Sequence, residues 1–68
     1  MTAQELTQKI ADAGIGLISA FAKSAIQTCE YDVFLKQIHE QLTIHDPEST
    51  RRKLGDEISD ELLRFFHS

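Results

Sequence analysis

Apolar side chains recur three or four residues apart along most of this chain, and this spacing limits the fold more than any other feature. The first stripe consists of Leu6, Ile10, Ala13, Leu17 and Phe21. A second stripe lies beside it and consists of Ile15, Ile18, Ala22, Ala25, Ile26 and Cys29. The same spacing continues through Tyr31, Leu35, Ile38 and Leu42. Because two adjacent stripes make a helix that is buried on more than one side, the sequence predicts an all-α protein.

The first helix has a clear start and an open question in its middle. Thr2 and Glu5 stand three residues apart before Leu6, the spacing of a capping box. The periodicity predicts one long helix over residues 3–44 or two helices nearly in line. A break within 28–32 is the alternative, because the residues there are mediocre helix formers.

The segment "HDPEST" predicts the start of a second helix. Asp46 stands at the N-cap position and Pro47 at the first helical position, where proline's missing N–H costs nothing. This helix is predicted over 47–66, with an inward face of Leu54, Ile58, Leu62 and Phe65. Outer pairs four residues apart, Arg52–Asp56, Lys53–Glu57 and Asp60–Arg64, are expected to support it. The short connection predicts an antiparallel helical hairpin and a single helical domain over 1–68.

The length of the chain favours a homodimer. A domain of 68 residues has a marginal core. Such scaffolds usually need disulfides, a metal or oligomerisation, and one cysteine allows no internal disulfide. Small residues on one side of the first helix would let another helix approach closely. The predicted dimer interface consists of Ala13, Gly16, Leu17, Ala20, Phe21 and Ser24. The alternative is that the last helix of the same chain packs there.

Several kinds of site are not expected. Gly14-Ile15-Gly16 lacks the third glycine of a dinucleotide loop. The uncharged run 13–22 is about half as long as the ~20 residues of a membrane span. His39-Glu40 begins a zinc-protease motif, but Thr43 stands where the second histidine belongs. We therefore expect no catalytic residue, cofactor, metal or membrane attachment. The lone thiol and the absence of a basic leader favour a cytoplasmic protein.

Charge favours a protein partner over nucleic acid. The net charge is −4, and the only basic cluster is Arg51-Arg52-Lys53, too few charges for useful affinity at physiological salt. Carboxylates beside apolar residues on the last helix suit docking onto a basic protein surface. The predicted partner-binding residues are Asp56, Glu57, Asp60, Glu61, Leu63 and Phe66, with Arg51 and Arg52 as a secondary patch. Phe65 should face the core and Phe66 outward.

Two segments and one dipeptide also carry a family resemblance. These are Ile15-Gly16, "FLKQIHEQL" and "RRKLGDEISDELLRFF". On them the chain resembles the small enterobacterial biofilm and acid-resistance regulators, the two-component connector proteins. The resemblance implies a short helical dimer that contacts a regulator or a sensor kinase.

Together these features predict a small non-enzymatic regulatory protein. It would bind and modulate or inhibit a larger protein, such as a transcription regulator, a sensor kinase or an ATPase. Its size also suits the short inhibitors that phages make against host proteins. The alternative is a helical, dimeric nucleic-acid-binding regulator.

Overall fold

The computed structural model describes residues 1–67, and these are all-α, as predicted. The helices are α1 (Ala3–Asp12), α2 (Gly16–Thr28), α3 (Tyr31–Glu40), α4 (Pro47–Leu54) and α5 (Asp56–His67). A π-helical segment, Gln41–His45, directly continues α3. The predicted domain ends at Ser68, which lies outside the described residues.

Both predicted helix starts occur. The Glu5 N–H donates to Thr2 Oγ1 at 3.1 Å, and the Thr2 N–H donates to Glu5 Oε1 at 3.0 Å. This is a complete capping box at the start of α1. Asp46 occupies the N-cap position of α4 and Pro47 its first turn, although the Asp46 side chain makes no capping hydrogen bond.

The prediction of one helix over 3–44 is wrong, and the first break lies at the glycines. Gly14 has φ +68° and Gly16 has φ +51°, conformations that L side chains rarely adopt. The Ser19 hydroxyl joins the two helices across this turn. It accepts from the Ile15 N–H and donates to the Ile10 carbonyl, both at 2.7 Å. The glycines therefore permit a turn, and they do not form a helix surface for the close approach of another helix. After this turn α2 packs back on α1.

A second break follows α2, within the range named as the alternative. Cys29 is left-handed, with φ 57°. The Glu30 N–H donates to the Ala25 carbonyl at 2.9 Å, and the Cys29 N–H donates to the Ile26 carbonyl at 3.3 Å. This pair of bonds is a Schellman motif, which ends a helix by satisfying its last carbonyls.

The predicted helix over 47–66 is also divided. Gly55, with φ +83°, separates α4 from α5. The Arg52–Asp56 and Lys53–Glu57 pairs assumed a continuous helix, so that prediction fails with it. Arg52 pairs instead with Glu48, at 3.2 Å.

The core combines parts of each predicted stripe. Its buried apolar residues are Leu6, Ile10, Ala11, Ala22, Ala25, Phe34, Leu35, Ile38, Leu42, Leu54, Ile58 and Leu62. Phe65 packs against this core, as predicted. The first stripe enters the core only as far as Ile10, because the turn at the glycines changes its register. On α2 the second stripe faces the core, with Ala22 and Ala25 buried and Ile18 and Ile26 partly buried, while Leu17 and Phe21 are left outside. Cys29, the last residue of that stripe, is exposed.

Candidate protein-interaction site

The side of α2 that faces away from the core is an uncovered apolar stripe. Leu17 is 74% exposed and Phe21 is 59% exposed. Ala20 and Ser24 are exposed beside them. Positions 17, 20, 21 and 24 share one helix face because they are three, four and seven residues apart. We call these four residues the α2 face.

The structure separates one of the other two predicted interface residues, Ala13, from this face, whereas Gly16 lies four residues before Ala20, at the N-terminal end of the same side of α2. Ala13 belongs to the turn after α1, and Gly16 is the first residue of α2. Both are exposed. The alternative, in which the last helix of the same chain covers the small residues, does not hold, because α5 packs mainly on α1, α3 and α4.

Phe21 stands between two grooves on the surface. A groove of 170 Å³ lies on the α3 side, where it is lined by Ser24, Val33 and Phe34 among others. A larger groove of 450 Å³ runs toward the π-helical segment and α4, past Ile18 and His45. Val33 is itself 53% exposed. The α2 face is therefore the ridge of a wider surface that includes part of α3.

The predicted acidic patch on α5 is paired within the chain. Arg51 donates to Asp56 Oδ1 and Asp60 Oδ1, each at 3.1 Å. Lys9 lies 3.0 Å from Glu57 Oε1 and 2.6 Å from Glu61 Oε1. One cation from α4 and one from α1 thus each hold two carboxylates that are four residues apart.

These contacts also raise the pKa values of the two basic groups. The pKa of Lys9 is raised above its ordinary value, mainly by the hydrogen bond to Glu61 and next by the bond to Glu57. The pKa of Arg51 is raised by Asp60 and Asp56 in the same way. The α5 carboxylates, which we call the α5 patch (Asp56, Glu57, Asp60 and Glu61), therefore also tie α5 to its neighbours.

The apolar residues of the predicted docking surface are partly used in packing. Leu63 packs against the core and is only partly exposed. Phe66 is 37% exposed, and its ring lies 4.3 Å from the His39 ring, centroid to centroid. The orientation predicted for Phe66 is correct in that it leaves the core, but the ring rests on α3.

Sequence reasoning missed several of these features. The spacing did not predict that Lys9 and His39 contact α5, because these contacts join residues far apart in the chain. Val33 and Ile44 were not identified as exposed, although neither belongs to the apolar stripes. Their absence from the helical spacing was the available signal.

The described part of the chain contains no cluster of three or more potential metal ligands. No helix within residues 1–67 has the length and apolar character needed to cross a membrane. Comparison with protein-family models, with curated proteins and with solved structures finds no match to this chain.

Proposed function

We propose that this chain is a small non-enzymatic regulatory protein that forms a homodimer and binds a larger protein. The α2 face is the observation that carries the proposal. Fully burying a Leu or Phe side chain stabilises by about 1.5–3 kcal/mol. A single chain that leaves Leu17 and Phe21 in water lacks that contribution at both positions. Exposed apolar residues in a contiguous patch mark interaction surfaces more often than isolated ones do.

The larger protein would dock on α5, away from the α2 face. Asp56 and Glu57 are 88% and 77% exposed despite their ion pairs. Exposed carboxylates of this kind steer a basic partner toward the surface, while a partly exposed aromatic ring such as Phe66 supplies apolar contact. The effect of binding would be to inhibit or modulate a transcription regulator, a sensor kinase or an ATPase.

The contacts of the two arginines in the basic cluster weigh against the nucleic-acid alternative. Arg51 and Arg52 are both engaged by carboxylates of the same chain. A phosphate backbone would have to compete with those carboxylates for the same guanidinium groups.

Light scattering of matched variants tests the dimer. Phe21→Glu should convert the dimer to a monomer, because it places a charge at the centre of the buried surface. Ile44→Glu is the control, since Ile44 is also an exposed apolar residue, at 69%, but lines neither of the grooves beside Phe21. A wild-type chain that is monomeric at micromolar concentration would refute the proposal, as would equal effects of the two variants.

Affinity capture from the source cells tests the larger partner. Phe66→Ala should lose the captured protein while the chain remains dimeric. Asp60→Lys should slow association more than it speeds dissociation, because an exposed charge acts mainly on the encounter. Asp12→Lys is the control, an exposed carboxylate on α1. Capture unchanged by both α5 variants would remove α5 from the binding surface.

A further inference from the structure

We infer that two copies pair through antiparallel α2 helices, with the two-fold axis beside Ala20 and Phe21. The inference deepens the homodimer proposed above and rests on it. In this register Phe21 of one copy lies over the partner's Ala20, and Leu17 lies over the partner's Ser24. Each copy presents the same patch to the other, as a two-fold interface requires.

The sizes of the side chains carry this register. Along the α2 face the order is large, small, large, small: Leu17, Ala20, Phe21, Ser24. Antiparallel pairing about a point between 20 and 21 puts each large side chain opposite a small one. Parallel pairing of like positions would set Phe21 against the partner's Phe21 and leave Ala20 facing Ala20. Interdigitation of large and small residues gives the dense packing that interfaces share with protein interiors.

Electrostatics favours the same direction. Helix α2 has no acidic residue in its first turn and no basic residue in its last turn, so its own side chains leave the dipole uncompensated at both ends. Antiparallel pairing places the positive end of each α2 beside the negative end of the other. Glu30, directly after the Schellman turn, adds negative charge at that end. Lys23 is the only charged residue of α2, and it lies outside the four-residue face.

The area required also fits a second copy. Helix α2 has 13 residues, so it is about 20 Å long and about 10 Å wide. That footprint alone is smaller than the roughly 800 Å² per partner of a standard interface. The two grooves beside Phe21 and the exposed Val33 extend the surface on both sides. The whole chain exposes 4350 Å², so a standard interface would cover about a fifth of it.

Cysteine cross-linking tests the register in a Cys29→Ser background. A disulfide needs the two Cα atoms about 4.4–6.8 Å apart. Ala20→Cys, beside the axis, should oxidise to a covalent dimer. Leu17→Cys should not, because position 17 and the partner's position 17 are separated by about 10 Å along the helix. The double variant Leu17→Cys/Ser24→Cys should again form the covalent dimer. Light scattering before oxidation verifies that each variant is still dimeric.

The outcomes separate the two levels of the proposal. If the single variant Leu17→Cys forms a covalent dimer, the two α2 helices are parallel. That result overturns the antiparallel register but not the homodimer. A dimer that cross-links at none of these positions uses another face and overturns this inference. A monomeric wild-type chain removes the homodimer itself, and capture of a larger protein that depends on Phe21 would then assign the α2 face to that protein.

Discussion

Replacing Ser59 by alanine should stabilise this protein, although Ser59 lies at the centre of the packing. Its side chain has no exposed surface, and its Oγ has no hydrogen-bond partner among residues 1–67. An unsatisfied buried hydroxyl costs about 1–3 kcal/mol of desolvation. Alanine is also the better helix former, by up to about 0.7 kcal/mol. Since the methyl group keeps most of the volume, we expect the free energy of unfolding to rise by about 1–2 kcal/mol.

Ser19 supplies the matched control, because it is also a buried serine, 4% exposed. Its hydroxyl makes the two bonds of 2.7 Å that join Ile10 and Ile15 across the first turn. Ser19→Ala leaves the Ile15 N–H without its partner and removes one of the two bonds to the Ile10 carbonyl, which still accepts from the Ala13 N–H. It should therefore lower the free energy of unfolding by about 1–3 kcal/mol.

Thermal and urea unfolding, followed by circular dichroism at one fixed protein concentration, measure both variants. In a domain of this size each kcal/mol moves Tm by about 4–8 °C. Opposite signs for the two serines are expected. A Ser59→Ala variant that is less stable than wild type, or a Ser19→Ala variant that is unchanged, would refute the reasoning from hydrogen-bond satisfaction.

Three further predictions concern the helix ends and the charged groups. Cys29→Gly should raise the free energy of unfolding by about 1 kcal/mol, because glycine adopts the left-handed conformation without the Cβ penalty; Cys29→Ala, measured in the same melts, should be neutral. The pKa of Glu5 is lowered from its ordinary 4.5 by the backbone and side-chain hydrogen bonds from Thr2. The capping box therefore stabilises the fold above pH 4.5 and loses that contribution as the pH falls through the lowered pKa. Glu5→Gln should weaken the loss of Tm below pH 4.5, and an unchanged acid profile would contradict this. In a gel shift with nonspecific duplex DNA at low salt, the wild-type chain should not bind, since Arg51 and Arg52 are ion-paired; binding with a steep salt dependence would favour the nucleic-acid alternative.

The sequence alone predicts the helical class and the starts of two helices, α1 and α4. Both rest on local interactions, which short segments specify without reference to the rest of the chain. These local interactions include the capping box of Thr2 and Glu5 and the Asp46-Pro47 start of α4. The buried positions of α5 also follow from local spacing, because Ile58 and Leu62 keep one helical register from Gly55 onward.

The interior helix ends were less predictable, for a reason that differs at each break. At Gly14 and Gly16 the glycines were visible, but an apolar stripe ran through them and favoured a continuous helix. At Cys29 the left-handed residue is not a glycine, so the usual marker of a Schellman motif is absent. At Gly55 the apolar spacing from Leu54 to Ile58 passes undisturbed through the break.

Only the tertiary structure decided which apolar stripe of α2 is buried and which groups the charges contact. The turn after α1 sets the rotation of α2 about its axis, and this rotation buries Ala22 and exposes Phe21. Lys9 of α1 donates to Glu57 and Glu61 of α5, which lie about fifty positions away in the chain. Contacts of this kind depend on how helices pack in three dimensions, and the spacing within any one segment carries no information about them.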